Sequence, residues 1–210
     1  MLKVGLTGGV ACGKSTVGEM FVARGLRLVQ ADQIAHQLML PGQPVYDDVI
    51  KHFGRAIVQP DGSIDRKKLA EAAFAPGRIQ ELNRLVHPAV IAQQDRWMAE
   101  TGKREPDAVV MVEAALILEA GVQGRFDKLV VVTCRPDQKA ERFAKRHNLD
   151  AASARHEVER RSAAQWPDEK KTAAADYVID NSGPLAQTER QVETIFIELR
   201  RLAGWGGTAS

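Results

Sequence analysis

Short runs of consecutive apolar residues recur along the chain, separated by longer segments in which apolar residues return every three or four positions. Uninterrupted apolar runs are typical of strands in a parallel sheet that is covered on both faces. The longer segments have the period of amphipathic helices. The alternation therefore predicts an α/β fold with right-handed crossovers. The five predicted strands lie at residues 2–7, 26–30, 108–113, 129–133 and 177–179.

The alternation of strands and helices stops between residues 31 and 107. Helix starts are predicted within Gln43–Ile50 and Ile64–Leu69, and Pro88 is expected to end one helix and begin the next. A segment of this length is too long to be a simple connection. We therefore predict that residues 31–107 form a helical insertion that binds a substrate.

The junction of the first strand and its helix carries Gly-Gly-Val-Ala-Cys-Gly-Lys-Ser at residues 8–15. This segment satisfies G-x-x-x-x-G-K-[ST] in the strand–loop–helix context that a phosphate-binding loop requires. Its glycines let N–H groups converge on one anion, Lys14 can reach the β- and γ-phosphates, and Ser15 can place a hydroxyl on Mg²⁺. The alternative is a glycine-rich turn that binds nothing. The candidate nucleotide-binding residues are Gly8, Ala11, Cys12, Gly13, Lys14, Ser15 and Thr16.

A second insertion, residues 136–171, is rich in charged residues and poor in apolar ones. Lys139, Arg142 and Arg146 recur there at helical spacing and are expected to share one helix face. Beside a phosphate-binding loop, this composition favours a mobile, positively charged lid. An ordinary solvated helix with charges of both signs is the alternative. The other segments are a predicted core at 1–30, 108–135 and 172–204 and a disordered tail at 205–210.

The bulk composition excludes several classes of protein. A net charge of +2 is too small to indicate nucleic-acid binding, and no apolar run approaches the length of a membrane span. The histidines show no zinc-type spacing with cysteines or carboxylates. Two cysteines make no disulfide framework, and the N-terminal residues enter directly into a predicted strand. A cytoplasmic protein is therefore expected.

Asp32 follows the second predicted strand, at the edge of the sheet where the phosphate-binding loop is expected. A kinase that phosphorylates a hydroxyl needs a carboxylate to orient that group and take its proton. Asp32 is placed for this role. The alternative is that Asp32 caps the N-terminus of the helix that follows, which aspartate does well.

Five segments together resemble the dephospho-CoA kinase family in order and spacing, over about residues 2–200. The resemblance implies a P-loop core with a five-stranded parallel sheet, a helical CoA-binding domain and a lid. It also implies transfer of the γ-phosphoryl group of ATP, with Mg²⁺, to the ribose 3′-hydroxyl of dephospho-CoA, giving CoA and ADP. The segments are the phosphate-binding loop, Ala31–Ala35, His87–Pro88, Glu113–Glu119 and Ala175–Asn181.

The resemblance also implies roles for individual residues. Asp32 matches the catalytic base, and Arg142 matches a lid arginine that neutralises the transferring phosphate, with Arg146 as a second lid contact to the nucleotide. His87 matches the acceptor-binding region, although a histidine at a helix start is the alternative. Asn181 matches a loop near adenine, although a turn residue is the alternative.

Two positions depart from the family pattern. Glu113 stands where the family usually has aspartate, and the proline that usually follows is missing. Glu113 therefore either lies near Mg²⁺ or contacts the acceptor. Cys12 occupies a loop position that is usually a small residue. If the strands have the usual core order, Cys134 is its neighbour, and we hypothesise that Cys12 has a lowered pKa and can be modified. An inert small side chain is the alternative.

Two other functions share parts of this pattern. A nucleoside monophosphate kinase has a similar core and lid arginines, but the length of the 31–107 insertion and the His87–Pro88 pair argue against it. A nucleotide-switch GTPase would need an Asn-Lys-x-Asp segment, and the sequence has none.

Overall fold

The computed structural model describes residues 1–73 and 77–204. The predicted tail at 205–210 lies outside the described residues. The described chain divides into two compact units. The first unit contains Met1–Leu28 and the chain from Thr101 onward, and the second unit is Val29–Glu100.

One five-stranded sheet contains all of the predicted strands. Its order is β2-β3-β1-β4-β5, and the described registers of β1 with β3, β1 with β4 and β4 with β5 are all parallel. The sequence prediction of a parallel α/β sheet is therefore confirmed. The strands are Leu2–Gly8 (β1), Arg27–Gln30 (β2), Val109–Glu113 (β3), Lys128–Thr133 (β4) and Tyr177–Asp180 (β5).

Helices connect the strands and build both insertions. Within the described residues they are Lys14–Ala23 (α1), Ala31–Leu38 (α2), Tyr46–Phe53 (α3), Arg66–Ala73 (α4), Arg78–Arg104 (α5), Pro136–His147 (α6), Ala151–Ser162 (α7), Asp168–Ala173 (α8) and Leu185–Leu202 (α9).

The core of the first unit lies between the central strands and the helices α1 and α9. Phe21 from α1 and Leu199 from α9 are both fully buried in one cluster with Leu6 and Val130 of the sheet. The register of β1 pairs Leu6 with Glu113 on one side and Gly8 with Val132 on the other. The carboxyl ends of the three central strands therefore meet at one edge, where open α/β sheets bind ligands.

The second unit is all-helical apart from short extended segments, and it has its own core. Val49 of α3 is fully buried, and Ile34 of α2 is almost so. The members of this core are Ile34, Val45, Val49, Phe53, Ile57, Ile64, Leu69, Ala73, Val86 and Val90.

The prediction that Pro88 separates two helices is wrong. Pro88 lies inside α5, which is one helix of 27 residues. Proline inside a helix lacks one N–H and costs about 3 kcal/mol. Val86 and Val90, on either side of it, are each only 6% exposed and both pack into the core of the second unit. Burial on both sides therefore holds the helix together across the proline.

Candidate nucleotide-binding site

The loop between β1 and α1 has a backbone shaped to receive an anion. Ala11 and Gly13 have φ of 55° and 89°, and the left-handed conformation near an uncapped helix start turns successive N–H groups to one side. Gly13 is the N-cap of α1 and has no side-chain cap. The helix start is therefore available to a ligand, and its dipole favours a negative charge.

Lys14 lies over this loop and contacts its carbonyl oxygens. Its Nζ donates to the carbonyl oxygens of Gly8 at 3.2 Å and Gly9 at 2.9 Å. The ammonium group is therefore held at the mouth of the loop, where it can interact with phosphates that the N–H groups bind.

Ser15 and Glu113 form a polar pair beside the loop. The Ser15 Oγ donates to Oε1 of Glu113 at 2.8 Å. Glu113 is the last residue of β3 and is only 8% exposed. The register of β3 with β1 brings this carboxylate to the first turn of α1. A hydroxyl and a carboxylate of this kind are oxygen ligands that suit Mg²⁺.

Asn181 braces the loop from the neighbouring strand end. Its Nδ2 donates to the carbonyl oxygen of Cys12 at 2.9 Å, and its Oδ1 accepts from the hydroxyl of Thr188 at 2.9 Å. Its backbone N–H donates to the carbonyl of Thr133 at 2.8 Å. Asn181 is 7% exposed, and Thr188 is fully buried. The alternative that Asn181 is a simple turn residue is therefore wrong.

Arg142 of α6 reaches toward the loop from the lid. Its Nη2 donates to the carbonyl oxygen of Asn181 at 2.8 Å. Its Nη1 is buried and has no hydrogen-bond partner among the described residues. A Cβ placed on Gly13 would lie 3.9 Å from this nitrogen. An unpaired guanidinium nitrogen this close to an anion-binding loop suits a phosphate oxygen.

The helices α6 and α7 pack on the loop through a small apolar cluster. Phe143, Ala154 and Val158 are buried together, and Val10 and Ala11 of the loop pack against them. The alternative of an ordinary solvated helix is therefore wrong for α6 and α7, because their inner faces are covered. Arg146, on the last turn of α6, is exposed, as is Thr16 of α1.

Lys139 and Asp168 lie against the other side of the loop. They form an ion pair between α6 and the start of α8. A Cβ placed on Gly9 would lie 3.0 Å from Oδ1 of Asp168, 3.0 Å from Sγ of Cys12 and 3.1 Å from Nζ of Lys139. Three chemically distinct groups therefore converge where only a glycine fits.

The expectation that Cys12 and Cys134 are neighbours is confirmed. Both lie in one buried cluster, and the parallel pairing of β1 with β4 brings them together. A hydrogen bond from the Cys134 thiol lowers the pKa of Cys12 to about 7, helped by the charge of Lys139 and opposed by burial. The same hydrogen bond and burial raise the pKa of Cys134. Cys12 has no exposed surface in this conformation.

A sequence profile of the dephospho-CoA kinase family matches residues 2–187. The chain belongs to this family. Among named relatives, the dephospho-CoA kinase of Aquifex aeolicus is 38% identical over 96% of this chain and 99% of its own length. The dephospho-CoA kinase of Streptomyces avermitilis is 40% identical over 95% of this chain and 94% of its own length. The solved dephospho-CoA kinase of Campylobacter jejuni has the same fold, with a TM-score of 0.68 at 24% identity over 95% and 97% of the two chains.

Two residues for which the dephospho-CoA kinase family resemblance implies a role lie in the second unit. Asp32 is exposed in the first turn of α2. The N-cap of α2 is Gln30, and it makes no side-chain capping bond, so the alternative that Asp32 is the cap is wrong. Asp32 lies two residues inside the helix because the helix begins immediately after β2. Its carboxylate is therefore not committed to a cap.

His87 lies in the interior of α5, not at a helix start, so that alternative is also wrong. It is half-buried, and burial lowers its pKa. The imidazole is therefore neutral at pH 7 and presents one N–H donor and one acceptor nitrogen. This suits a polar, uncharged contact.

A cavity of about 330 Å³ lies within the second unit. Its wall is mostly apolar, with a few polar side chains. His36, one turn after Asp32 on the same face of α2, is part of this wall. Other residues of the wall include Met39, Gln59, Ser63, Arg66 and Leu69.

Sequence reasoning missed Thr188 and Asp168. Thr188 lies on the buried face of α9 with Val192, Ile195 and Leu199. A hydroxyl on an otherwise apolar helix face is a signal that could have indicated a buried polar partner. Asp168 has no such signal, because its contact with Lys139 depends on how α8 folds back toward α6.

No helix within residues 1–73 and 77–204 is long and apolar enough to cross a membrane. The same residues contain no cluster of three or more histidine, cysteine or acidic side chains that could hold a metal.

Proposed function

We propose that this chain is an ATP-dependent dephospho-CoA kinase. It transfers the γ-phosphoryl group to the ribose 3′-hydroxyl of dephospho-CoA and releases CoA and ADP. The observation that carries this proposal is the unpaired Nη1 of Arg142, buried beside the phosphate-binding loop of a member of this family. This arrangement suits an enzyme that must neutralise charge on a phosphoryl group in transit.

ATP binds through its phosphates to the N–H groups of the loop and the start of α1. Lys14 then exchanges its carbonyl contacts with Gly8 and Gly9 for the β- and γ-phosphate oxygens. The exchange replaces neutral acceptors with charged ones, which strengthens each hydrogen bond. Arg142 adds a second cation from the lid, so the two positive groups approach the γ-phosphate from different elements. Gly8, Ala11, Cys12, Gly13 and Thr16 complete the nucleotide contacts, and Arg146 closes on the nucleotide when the lid moves.

Ser15 and Glu113 fit the demands of a magnesium ion that accompanies ATP. When bound, Mg²⁺ neutralises charge on the β- and γ-phosphates. The Ser15 hydroxyl is the direct protein ligand in this proposal. Glu113 holds that hydroxyl at 2.8 Å, which its extra methylene relative to aspartate allows, and it adds negative charge beside the metal. In this proposal Glu113 therefore acts near Mg²⁺ and does not contact the acceptor.

Asp32 is the general base for the acceptor. Its exposed carboxylate accepts the proton of the 3′-hydroxyl as the ribose oxygen attacks the γ-phosphorus, and ADP departs with the β-phosphate oxygen. The cavity one helical turn away accepts the apolar and amide-containing arm of the substrate. His87 supplies an uncharged polar contact to the acceptor.

The test is acceptor-dependent release of ADP from Mg·ATP, with the phosphorylated product identified by mass. Dephospho-CoA is compared with AMP, adenosine and pantetheine phosphate. Turnover with dephospho-CoA alone, giving CoA, supports the proposal. Turnover with AMP or adenosine instead would overturn it in favour of a nucleotide or nucleoside kinase. Asp32→Asn should keep ATP binding and the melting temperature while turnover falls by at least about a hundredfold.

A further inference from the structure

The two cysteines of this chain follow the ends of two neighbouring strands. Cys12 lies in the loop after β1, and Cys134 directly follows the last residue of β4, Thr133. These strands pair in parallel, with Gly8 opposite Val132, and both thiols are buried in one cluster. The strand ends are therefore fixed by sheet hydrogen bonds, and the chain after each one brings its cysteine into the same buried cluster.

The surroundings of Cys12 favour a reactive sulfur. The Nζ of Lys139, the Oδ1 of Asp168 and the Sγ of Cys12 all lie within about 3 Å of the same point above Gly9. The charge of Lys139 lowers the pKa of Cys12, and the charge of Asp168 opposes it more weakly. The thiol of Cys134, in the same buried cluster, lowers the pKa of Cys12 further. A thiolate is the nucleophile in thiol–disulfide exchange, and both contacts stabilise that form.

The side chain of neither cysteine has a task in phosphoryl transfer. Cys12 contributes only backbone groups to the loop, including the carbonyl that Asn181 holds. A reactive dithiol that is not needed for the reaction, but is built into the phosphate-binding loop, calls for a separate role.

We propose that Cys12 and Cys134 form a redox-active dithiol, oxidised by small-molecule disulfides to an intramolecular disulfide that disables the phosphate-binding loop. The Cys12 thiolate attacks one sulfur of the disulfide RSSR, forms a mixed disulfide and releases RS⁻. Cys134 then attacks the Cys12 sulfur and expels the second RS⁻. The two protons lost by the cysteines convert both anions to RSH. Two protein thiols are oxidised, and one disulfide is reduced to two thiols.

The link to nucleotide binding is mechanical. A disulfide requires its two sulfur atoms to lie about 2.05 Å apart, closer than any non-bonded contact. Cys134 follows a central strand, whereas Cys12 lies in a loop, so the loop is the part that yields. Its movement breaks the contact between the Cys12 carbonyl and Asn181 and misaligns the N–H groups that bind phosphate. Both steps are thiol–disulfide exchanges, and neither transfers an oxygen atom to sulfur.

The reagent reaches Cys12 when α6 and α8 move away from Gly9, since Lys139 and Asp168 cover the sulfur in this conformation.

The experiment treats the reduced full-length chain with oxidised glutathione, removes the excess, and counts thiols under denaturing conditions. Non-reducing peptide mapping by mass spectrometry identifies the linkage. We expect both thiols to be lost, a Cys12–Cys134 cross-link, and an ATP Kd at least about tenfold higher, restored by dithiothreitol. Because the readout is ATP binding, its outcome does not depend on which acceptor the enzyme uses.

Cys134→Ala is the matched control. It should bind ATP normally when reduced, and glutathione disulfide should stop at a mixed disulfide on Cys12. If its melting temperature falls, Cys134→Ser replaces it, since serine keeps the size of the side chain but cannot close the bond. Unlinked cysteines in the wild-type map, or a cross-linked protein with unchanged ATP affinity, would overturn the proposal.

Discussion

The side-chain amide of Asn181 donates a 2.9 Å hydrogen bond to the main-chain carbonyl of Cys12, across 169 positions of sequence. The donor follows the edge strand β5, and the acceptor lies in the phosphate-binding loop. The lid residue Arg142 binds the carbonyl of the same asparagine. One buried residue, through its side chain and its main chain, therefore connects the sheet, the loop and α6.

Replacing Asn181 with alanine should weaken ATP and GTP binding in parallel. The substitution leaves a buried carbonyl of the loop without its donor, which costs about 1–3 kcal/mol or roughly 5- to 150-fold in Kd. Calorimetry with both nucleotides measures the effect. Thr188→Val, which removes only the bond to Oδ1, is the matched control and should have a smaller effect. If Asn181→Ala instead loses the preference for ATP over GTP, measured as the ratio of the two Kd values, Asn181 contacts the base.

Gly13 and Gly25 offer a comparison between steric and conformational effects. Both have positive φ, 89° and 100°, so alanine at either position costs about 1–2 kcal/mol of stability. A Cβ on Gly13 would also lie 2.3 Å from Nδ2 of Asn181, whereas one on Gly25 would meet nothing within 4 Å.

Gly13→Ala should therefore reduce ATP affinity at least about tenfold, beyond its effect on melting temperature, because Asn181 must move off the loop. Gly25→Ala should lower the melting temperature and leave the ATP Kd unchanged. Thermal denaturation and ATP titration on both variants test this. Equal ATP affinities in the two variants would show that the contact with Asn181 is not needed to shape the loop.

The central strands β3 and β4 were predictable from sequence because each contains an apolar run that is buried. The run predicted at 129–133 became Lys128–Thr133, and that at 108–113 became Val109–Glu113. The phosphate-binding loop was predictable because each fixed residue has a mechanical task. The proximity of Cys12 and Cys134 followed from strand order alone.

Features that depend on packing were not predictable. A proline such as Pro88 locally favours a helix boundary, but burial of Val86 and Val90 overrides this local preference. The contact of Thr188 with Asn181 also requires knowing which face of α9 meets β5. Asp32 was a possible cap until the structure placed the helix start at Ala31, two residues earlier than a cap at Asp32 would require.

Arg142 should matter more for turnover than for ATP affinity, because in the proposed mechanism its buried, unpaired Nη1 binds the phosphoryl group most strongly in the transition state. Arg142→Ala is expected to lower kcat on the order of a hundredfold while KM for ATP changes a few-fold. Steady-state kinetics with saturating dephospho-CoA measure both constants.

Arg135→Ala removes an exposed arginine whose side chain pairs, among the described residues, with Asp137 near the start of α6, and it should leave kcat and KM near wild type. A rise in KM for Arg142→Ala with kcat unchanged would assign Arg142 to ground-state binding instead.

Lys171 anchors the end of the lid segment to the chain after β3. Its side chain is 1% exposed, and its Nζ lies 3.0 Å from Oε1 of Glu119 and donates to Gln165 at 3.0 Å. The same Glu119 oxygen accepts the backbone N–H of Trp166 at 2.8 Å. A buried lysine and a mostly buried glutamate therefore join α8 and the segment before it to the chain after β3.

Removing only the lysine leaves the Glu119 carboxylate buried and uncompensated, which typically costs 3–5 kcal/mol. Lys171→Met should therefore unfold at clearly lower urea concentration than wild type. The double variant Lys171→Met/Glu119→Gln should recover most of the loss, since glutamine is uncharged and still accepts from Trp166. Urea denaturation of the wild type, both single variants and the double variant gives the coupling free energy. If the double variant is as unstable as Lys171→Met, the buried carboxylate is not the cause, and packing of the long lysine side chain is.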